Sequence, residues 1–410
     1  VEDPNIDLSE VVRPRSLPLL TRTHTRFGER YVWTTFSADQ IDLNFKNPDV
    51  LFEFIDIFLT LIDHGARFIR LDAIAYLWKE IGTSCVHLPE THAVVKLLRA
   101  IVDSVAPGTV IITETNVPHK ENISYFGDAD EARMVYQFSL PPLLLHALVT
   151  GNSAHLTEWA RTVCEVPDGC TYLNFTASHD GIGVRPLEGI VPDEELADLV
   201  EKVKERGGYV STKKNSDGSE SPYELNITYY EALSDPGDTE DLRCARFLCS
   251  QALAMSLKGI PAVYFNSLIG AGNDRQRAER LNLPRAINRQ KWRQRWLHTQ
   301  LRRPESHAAI TLRNYTAMLN TRNQQPAFHP DGAQDIVDLG EKVFALRRTA
   351  PGGEQTVAAV FNLVNEDVTV PLSKVGTRRR NLTNILPRQE TSVSGGRLKL
   401  APYQCAWMEL

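Results

Sequence analysis

Apolar residues along this chain follow two patterns, one with a spacing of three and four residues and one of short continuous runs. The first pattern predicts amphipathic helices in NPDVLFEFIDIFLTLIDHG, THAVVKLLRAIVDSVAPG and LRCARFLCSQALAMSLKG. The second predicts buried strands in RFIRLDAIAY, TVIITETN, ARMVYQF, TYLNFTASHDG and IPAVYFNSLIG, and ARMVYQF continues into the helical SLPPLLLHAL. Because strand and helix alternate, we predict an α/β fold with five parallel strands joined by crossover helices.

Two regions depart from this alternation. Between Gly181 and Tyr230, the polar stretch VSTKKNSDGSESPYELN predicts a long loop or a small insertion. After about residue 335, KVFALRRT, QTVAAVFNLV, DVTVPLS and GRLKLAPYQCAWMEL predict short strands of a small antiparallel domain. The predicted segments are an N-terminal segment (1–40), an α/β portion (41–330) with an insertion (181–240), and a C-terminal β domain (335–410).

Composition excludes some function classes. The chain has 410 residues, 42% of them hydrophobic and 23% charged, which is enough for a large core and a second small domain. Its net charge of −6 argues against a nucleic-acid partner, and no apolar run approaches the roughly 20 residues of a membrane span. The six cysteines show no CxxC spacing, which favours reduced thiols and a cytoplasmic location. Because Val1 opens a stretch typical of mid-protein sequence, we expect the true N-terminus to be missing.

One predicted core strand contains charged residues. In FIRLDAIAY, Arg70 and Asp72 are two positions apart, so an extended strand directs both side chains to the same face. Burying an unpaired charge is unfavourable, and the attraction within a buried ion pair rarely exceeds the free-energy cost of desolvating its two charges. A functional role for this carboxylate is therefore indicated.

Three of the predicted strands end in an acid, namely Asp72, Glu114 and Asp180. The C-terminal ends of parallel strands in a closed barrel converge on one mouth, where two carboxylates can perform retaining glycoside chemistry. Arg70 would hold Asp72 ionised and oriented. A single acid at a strand end is more often a loop cap or a helix N-cap. Three acids, one with an Arg two residues before it and one directly after His179, favour a catalytic site.

Several segments resemble a known family. FIRLDAIAYLWKE, IITETN and TASHDGIGV resemble the conserved regions of the α-amylase superfamily, glycoside hydrolase family 13. RPRSLPLLT, KEIGTSC, SLPPLLLHAL and HDGIGV are similar to its phosphorylase branch, which acts on sucrose, sucrose 6-phosphate or glucosylglycerate. The resemblance, from about Val11 to about Arg289, implies a (β/α)8 TIM-type barrel with a small C-terminal antiparallel β domain. The five predicted strands match the fourth to eighth strands of that barrel, so we expect the first strands to be absent. The resemblance thus implies that residues 41–330 are a catalytic barrel portion and that residues 1–40 are a remnant of an inserted loop domain.

The resemblance also implies roles for individual residues. Asp72, in RLDA, would be the nucleophile, and Glu114, in TETN, would be the acid/base. Asp180, in SHDG, would grip the glucose hydroxyls and stabilise the oxocarbenium-like transition state, and His179 would bind glucose beside it. The implied reaction transfers a glucosyl group from an α-glucoside to inorganic phosphate by double displacement. No metal or other cofactor is predicted for it.

Phosphate and the acceptor need cationic partners, since Arg donors bind such anions best. The segment RPR, Arg13 to Arg15, matches the phosphate and acceptor loop of the branch. SPYELN matches a second loop, which makes Tyr223 and Glu224 candidates for the acceptor site. RAINR makes Arg285 a candidate sugar or acceptor contact.

Alternatives stay open at this point. An anionic acceptor such as glycerate or fructose 6-phosphate would suit Arg13, Arg15, Lys213 and Lys214, although the two lysines are equally compatible with a solvated loop. Because a loop histidine accompanies sugar-phosphate specificity in this branch, the lack of His in residues 207–226 favours glycerate over fructose 6-phosphate. A hydrolase or transglucosidase would use the same carboxylates and is a second hypothesis beside the phosphorylase. A non-catalytic carbohydrate-binding fragment is a third hypothesis.

Overall fold

The computed structural model describes residues 5–15, 17–214, 219–377 and 382–410, and the chain divides into two compact units. The first unit consists of Val1–Tyr136, Pro167–Cys170 and Ser211–Tyr223. The second unit consists of Gln137–Val166, Thr171–Val210 and Glu224–Leu410. Among the helices in the described ranges, none has the length and apolar character needed to cross a membrane.

The first unit contains a hairpin and three parallel strands. Its elements are β1 (Leu20–Thr25), β2 (Gly28–Trp33), α1 (Pro48–Asp63), β3 (Phe68–Leu71), α2 (Pro89–Val105), β4 (Val110–Thr113), α3 (His119–Ile123) and β5 (Met134–Tyr136). β1 pairs with β2 in antiparallel fashion, and β4 pairs in parallel with both β3 and β5. The predicted alternation of parallel strands with helices is confirmed here.

The local sequence explains where α1 begins and ends. The side chain of Asn47 accepts a hydrogen bond of 3.0 Å from the backbone N–H of Asp49, and Pro48 occupies the first turn, where its missing N–H is not needed. The helix stops before Gly65, which has a φ of +94°. Its Phe58 packs into a core shared with α2, β3 and β4, formed by Phe58, Ile69, Val94, Leu98, Val102, Ile111 and Ala132.

The strand predicted in RFIRLDAIAY is shorter than its apolar run. β3 ends at Leu71, and Ile74–Tyr76 forms a 3-10 turn instead of continuing the strand. The physical reason lies at Ala73, which adopts a left-handed conformation with φ of 48° and ψ of 36°. That conformation turns the chain away from the strand direction directly after Asp72.

The second unit combines helices with parallel and antiparallel strands. Its elements up to residue 323 are α4 (Leu140–Thr150), α5 (Ala154–Thr162), β6 (Thr171–Asn174), β7 (Ile182–Gly183), α6 (Asp193–Glu205), β8 (Tyr209–Lys214), β9 (Glu220–Asn226), α7 (Tyr229–Ala232), α8 (Glu240–Ser256), β10 (Ile260–Pro261), α9 (Phe265–Leu268), α10 (Arg275–Leu281), α11 (Gln294–Leu301) and α12 (His307–Asn323). β6 and β10 are parallel, and β7 pairs antiparallel with the end of β9. Parts of β8 and β9 belong to the first unit.

Two predicted stretches of this region take a different or more definite form in the structure. The stretch VSTKKNSDGSESPYELN, predicted as a long loop or a small insertion, contains most of β8 and all of β9 on either side of residues 215–218, which lie outside the described part of the chain. Its many polar residues concealed Tyr223 and Leu225, which are buried in β9. IPAVYFNSLIG, predicted as one strand, contains only the two residues of β10 before the chain enters α9.

The C-terminal part of the second unit consists of antiparallel strands, as its short apolar runs predict. They are β11 (Ala333–Asp338), β12 (Val343–Thr349), β13 (Thr356–Asn362), β14 (Val368–Pro371), β15 (Ser392–Ser394), β16 (Arg397–Leu400) and β17 (Cys405–Glu409). The sheet order is β11-β12-β13-β17 in one sheet and β14-β16-β15 in another. Alternate residues of these strands form one core, which includes Val343, Ala358, Val370, Leu398 and Met408.

A buried arginine connects this sheet to α8. Arg348 of β12 is fully buried, and its guanidinium donates to the carbonyl oxygens of Ser256 at 3.1 Å, Ala333 at 3.2 Å and His329 at 2.7 Å. Ser256 is the last residue of α8, where free carbonyls and the helix dipole favour a cation. Burial and the neighbouring Arg322 lower the pKa of Arg348.

We expect Arg348→Met to lower the free energy of unfolding by about 3 kcal/mol or more, because several buried carbonyl groups would lose their donor. Chemical denaturation followed by circular dichroism measures the change. Arg347→Met on the same strand is the matched control, since its side chain is 37% exposed and lies 3.5 Å from Asp335. Equal losses from the two variants would contradict a special role for the buried guanidinium.

Candidate active site

Three predicted site residues meet at the ends of β3 and β4. Asp72 and Glu114 each follow the last residue of their strand, and Arg70 lies within β3. The Nη2 atom of Arg70 is 2.6 Å from Oδ1 of Asp72 and 3.6 Å from Oε2 of Glu114. One guanidinium therefore faces both carboxylates, as the parallel pairing of β3 with β4 allows.

The two carboxylates differ in their exposure. The side chain of Asp72 is 67% exposed, whereas that of Glu114 is 13% exposed. An exposed, ion-paired carboxylate is suited to attack a substrate, and a mostly buried one is suited to carry a proton. This difference agrees with the roles that the sequence resemblance implies for the two residues.

Backbone groups hold Glu114 in place. Its own N–H donates to the carbonyl of Leu71 at 3.1 Å, which continues the ladder between β3 and β4 by one residue. Its Oε2 accepts a hydrogen bond of 2.9 Å from the N–H of Ala73. Sequence reasoning missed this contact, because nothing in the sequence indicates that an alanine adopts a left-handed conformation.

Tyr136 is a further neighbour that sequence reasoning missed. It is the last residue of β5, and the Cζ atom of Arg70 lies 5.5 Å from the centre of its ring. Burial raises the pKa of Tyr136, while the charge of Arg70 partly opposes this rise. The phenol therefore stays neutral beside the two carboxylates. Its position at the end of a predicted strand was the available signal.

Two residues of the predicted acceptor loops lie together in the first unit. The Cζ atom of Arg15 is 5.0 Å from the ring centre of Tyr223, a cation–π geometry. Arg13 donates from Nη2 to the carbonyl of Leu17. Lys213 belongs to β8, and the side chain of Lys214 lies outside the described part of the structure.

A backbone hydrogen bond anchors the segment that carries Arg13 and Arg15 to a stretch that lies soon after Asp72 in the sequence. The N–H of Val12 donates to the carbonyl of Ser84 at 2.9 Å, in the GTSC stretch that follows the Asp72 turn. Val11 is buried beside Cys85 in a small core with Leu19 and Trp33. These contacts support the RPR segment from the same loop that follows the predicted nucleophile.

The remaining predicted residues form a cluster in the second unit. Oδ1 of Asp180 lies 2.9 Å from Nη1 of Arg285 and 3.2 Å from Nη2 of Arg289. Arg285 also forms a two-point contact with Glu224, with its Nε donating to Oε1 at 2.8 Å and its Nη2 donating to Oε2. The Nε2 atom of His179 is 3.4 Å from Oδ2 of Asp180. Asp180 is thus held by two guanidinium groups.

Glu224 lies deeper than an acceptor contact on a loop would require. Its side chain is 2% exposed, and it contacts Arg285 rather than solvent. A Cβ atom at Gly181 would approach Cγ of Glu224 to 2.7 Å and the carbonyl of Leu225 to 2.5 Å, so only glycine fits there. In the folded chain Glu224 is therefore a buried partner of Arg285.

Arg289 and Asn288 were missed by sequence reasoning. Nε of Arg289 donates to the carbonyl of His179 at 2.5 Å, and Nδ2 of Asn288 donates to the carbonyl of Asp180 at 2.7 Å. Both belong to the segment RAINR, whose two arginines are four residues apart, so the motif itself was the signal. In the described ranges no group of three His, Cys, Asp or Glu residues is arranged to hold a metal ion, and the six cysteines are free thiols.

Comparison with known proteins identifies the family. Residues 23–181, which include Asp72, Glu114 and Asp180, match the family described as Alpha amylase, catalytic domain. The chain is 50% identical over 373 residues to a glucosylglycerate phosphorylase of Spirochaeta thermophila, covering 90% of this chain and 63% of that protein. It is 43% identical over 412 residues to a glucosylglycerate phosphorylase of Escherichia coli, covering 99% of this chain and 72% of that protein.

The fold agrees with these sequence matches. The crystal structure of a sucrose 6F-phosphate phosphorylase from Thermoanaerobacter thermosaccharolyticum superposes with a TM-score of 0.73 at 24% identity, covering 87% of this chain and 68% of that one. The chain belongs to the α-amylase superfamily, glycoside hydrolase family 13, and within it to the branch of the glucoside phosphorylases. This confirms the family predicted from sequence. The chain spans 63% and 72% of the length of the two curated relatives.

Proposed function

We propose that this protein is an α-retaining glucoside phosphorylase, which transfers a glucosyl group from an α-glucoside to inorganic phosphate and releases α-glucose 1-phosphate. The observation that carries the proposal is the arrangement of Arg70 between an exposed Asp72 and a mostly buried Glu114. Family membership supports it, since relatives at 50% and 43% identity are named glucosylglycerate phosphorylases.

The reaction divides into two displacements at the anomeric carbon. In the first, the Asp72 carboxylate attacks this carbon and the glycosidic C–O bond breaks, while Glu114 gives its proton to the departing oxygen. In the second, a phosphate oxygen attacks the same carbon and the bond to Asp72 breaks. Glu114 takes the proton from the attacking phosphate, so it returns to its starting form.

Supporting roles follow from the contacts of each side chain. Arg70 orients the Asp72 carboxylate through their 2.6 Å contact, which favours its attack. Asp180, held by Arg285 and Arg289, binds glucose hydroxyls with His179, and Glu224 orients Arg285. These roles for the second cluster are those that the family resemblance implies.

For the fold, we propose that β3, β4, β5, β6 and β10 correspond to the fourth to eighth strands of a (β/α)8 barrel. The barrel portion then covers residues 41–330, with an insertion over 181–240, after a loop region over 1–40. The small C-terminal antiparallel domain covers residues 335–410 and contains most of β11 and the strands that follow it. The TM-score of 0.73 to a family member supports this assignment.

We propose glucosylglycerate as the donor. The identities of 50% and 43% to glucosylglycerate phosphorylases favour it over sucrose, sucrose 6-phosphate and glucosylglycerol. The deciding experiment incubates the purified protein with each of these four glucosides, with and without phosphate, and measures glucose 1-phosphate and free glucose. Phosphate-dependent glucose 1-phosphate from glucosylglycerate supports the proposal. Free glucose without phosphate would indicate a hydrolase, and no turnover of any donor would indicate a carbohydrate-binding protein.

Arg15 is the residue we propose to bind phosphate or the anionic group of the acceptor. We expect Arg15→Lys to raise the Michaelis constant for phosphate about tenfold, because lysine keeps the charge but loses the planar fork of donors. The reaction of α-glucosyl fluoride to form the glucosyl-enzyme does not use phosphate, so its rate should stay near the wild-type value. Steady-state kinetics with each substrate measure both effects.

Arg22→Lys is the matched control for this experiment. Arg22 lies in β1 of the same unit, 64% exposed and paired with Glu29, so its replacement should change neither rate. If Arg15→Lys slowed formation of the glucosyl-enzyme as much as it slowed phosphorolysis, Arg15 would support the structure of the site instead of binding an anion.

A further inference from the structure

Ala73 has a backbone conformation that alanine rarely adopts. Its φ of 48° and ψ of 36° place it in the left-handed region, where the Cβ atom is crowded and glycine is the usual residue. Such conformations persist only where surrounding contacts hold them, and they concentrate at functional sites. Ala73 follows the exposed Asp72 directly, so the unusual conformation occurs at the proposed nucleophile.

The contacts of Ala73 explain what this conformation achieves. Its N–H donates to Oε2 of Glu114 at 2.9 Å, although the two residues are 41 positions apart in sequence. Its carbonyl accepts from the N–H of Tyr76 at 3.0 Å, which closes the 3-10 turn. This N–H belongs to the peptide group between Asp72 and Ala73. The hydrogen bond therefore links the backbone of Asp72 to the carboxylate of Glu114.

We propose that Ala73 is a positioning residue, whose left-handed conformation directs its amide N–H at Glu114 and so holds the acid/base in register with the nucleophile. This inference rests on the proposed function for the roles of Asp72 and Glu114. It goes beyond the proposed function, because it assigns a task to the backbone N–H of Ala73 and requires at position 73 a residue that tolerates positive φ.

The chemistry of the contact leads to a pH effect. An N–H donor stabilises the ionised form of a carboxylate, so Glu114 should release its proton at lower pH with the donor than without it. Among the described residues, Arg70 and Asp72 on the β3 side and Tyr136 at the end of β5 are charged or titratable groups near Glu114. None of the contacts described for these groups is made by the side chain of Ala73, so Ala73→Gly, which keeps the N–H, separates the loss of the amide donor from the loss of the methyl group.

Three variants distinguish a specific effect of the Ala73 N–H on Glu114 from a general loss of stability. Ala73→Val puts a β-branched residue where φ is positive, which forces the peptide to rotate and removes the N–H from Glu114. Ala73→Gly keeps the N–H and adopts the same conformation without strain. Ala129→Val is the matched control, because Ala129 also has a positive φ, of 65°, in the loop before β5. It should reproduce any general loss of stability.

The first measurement is the pH dependence of kcat/KM with the glucoside that the wild-type protein cleaves. In Ala73→Val we expect the alkaline limb to move to higher pH by about one unit, and kcat to fall about a hundredfold. In Ala73→Gly and Ala129→Val the limb should keep its wild-type position. The loss in Ala73→Val should be smaller with α-glucosyl fluoride, whose leaving group needs no proton.

The second measurement needs no turnover. Carbon-13 NMR of the glutamate side chains, with Glu114 assigned from a Glu114→Gln spectrum, follows the titration of this carboxyl directly. A midpoint that rises in Ala73→Val alone supports the inference, even if the protein proves to be a hydrolase or inactive towards every donor. An unchanged midpoint in a folded Ala73→Val, or an equal shift in Ala129→Val, would overturn it. Failure of phosphorolysis in the wild-type protein would count against the proposed function only.

Discussion

Asp72→Asn should abolish nearly all glucosyl transfer while the protein remains folded. Asparagine has the same shape as aspartate but cannot form the covalent bond to the anomeric carbon, so the expected loss of rate is about a thousandfold or more. Folding should be little affected because the side chain is 67% exposed and contributes no core packing. Initial rates of glucose 1-phosphate formation measure the first effect, and thermal unfolding measures the second.

Asp56→Asn provides the matched control for this experiment. Asp56 lies on the exposed face of α1 in the same unit, so the identical chemical change should leave the rate unaltered. A folded Asp72→Asn protein that kept more than about a tenth of the wild-type rate would be incompatible with a nucleophile at this position. Asp72 would then only orient Arg70.

The second large effect is expected for Glu114→Gln. An amide at this position can still accept the hydrogen bond from Ala73, but it is not acidic enough to transfer a proton to the leaving oxygen. The rate with a glucoside should therefore fall by about a hundredfold to ten-thousandfold. The alkaline limb of the pH profile should disappear as well, since the group that loses its proton there is gone.

The choice of donor tests the role of Glu114 directly. With α-glucosyl fluoride the first displacement should proceed at close to the wild-type rate, because fluoride leaves without a proton. The glucosyl-enzyme should then accumulate and be visible by mass spectrometry as a covalent adduct on Asp72. Glu90→Gln, an exposed acid in the first turn of α2, is the control. Equal losses with both donors would show that Glu114 supports the site but does not transfer the proton.

Much of the fold could be predicted because its signals are local. The spacing of apolar residues in α1 and α2, and the apolar runs of β3 and β4, identify their elements without knowledge of the rest of the chain. Element ends were less predictable. β3 stops at Leu71 because of the backbone conformation of Ala73, and β9 was concealed by the polar residues around it.

The same contrast between local signals and contacts of distant residues applies to the candidate site. Asp72 and Glu114 could be found because each directly follows an apolar strand, and a strand-end acid is a feature of sequence. The contact between Glu224 and Arg285 could not be found in this way. It joins residues 61 positions apart, and it accompanies a side-chain exposure of 2% at Glu224.

The α/β class, the family and the acids at the ends of β3 and β4 can be inferred from the amino-acid sequence, because each depends on neighbours within a few positions. Which side chains and backbone groups meet is a property of the folded chain. The 2.9 Å contact of Ala73 with Glu114 spans 41 positions, and the 3.2 Å contact of Arg289 with Asp180 spans 109. Such pairs depend on strand register and on backbone conformation, which are set by the packing of the whole chain and are not encoded in any one segment.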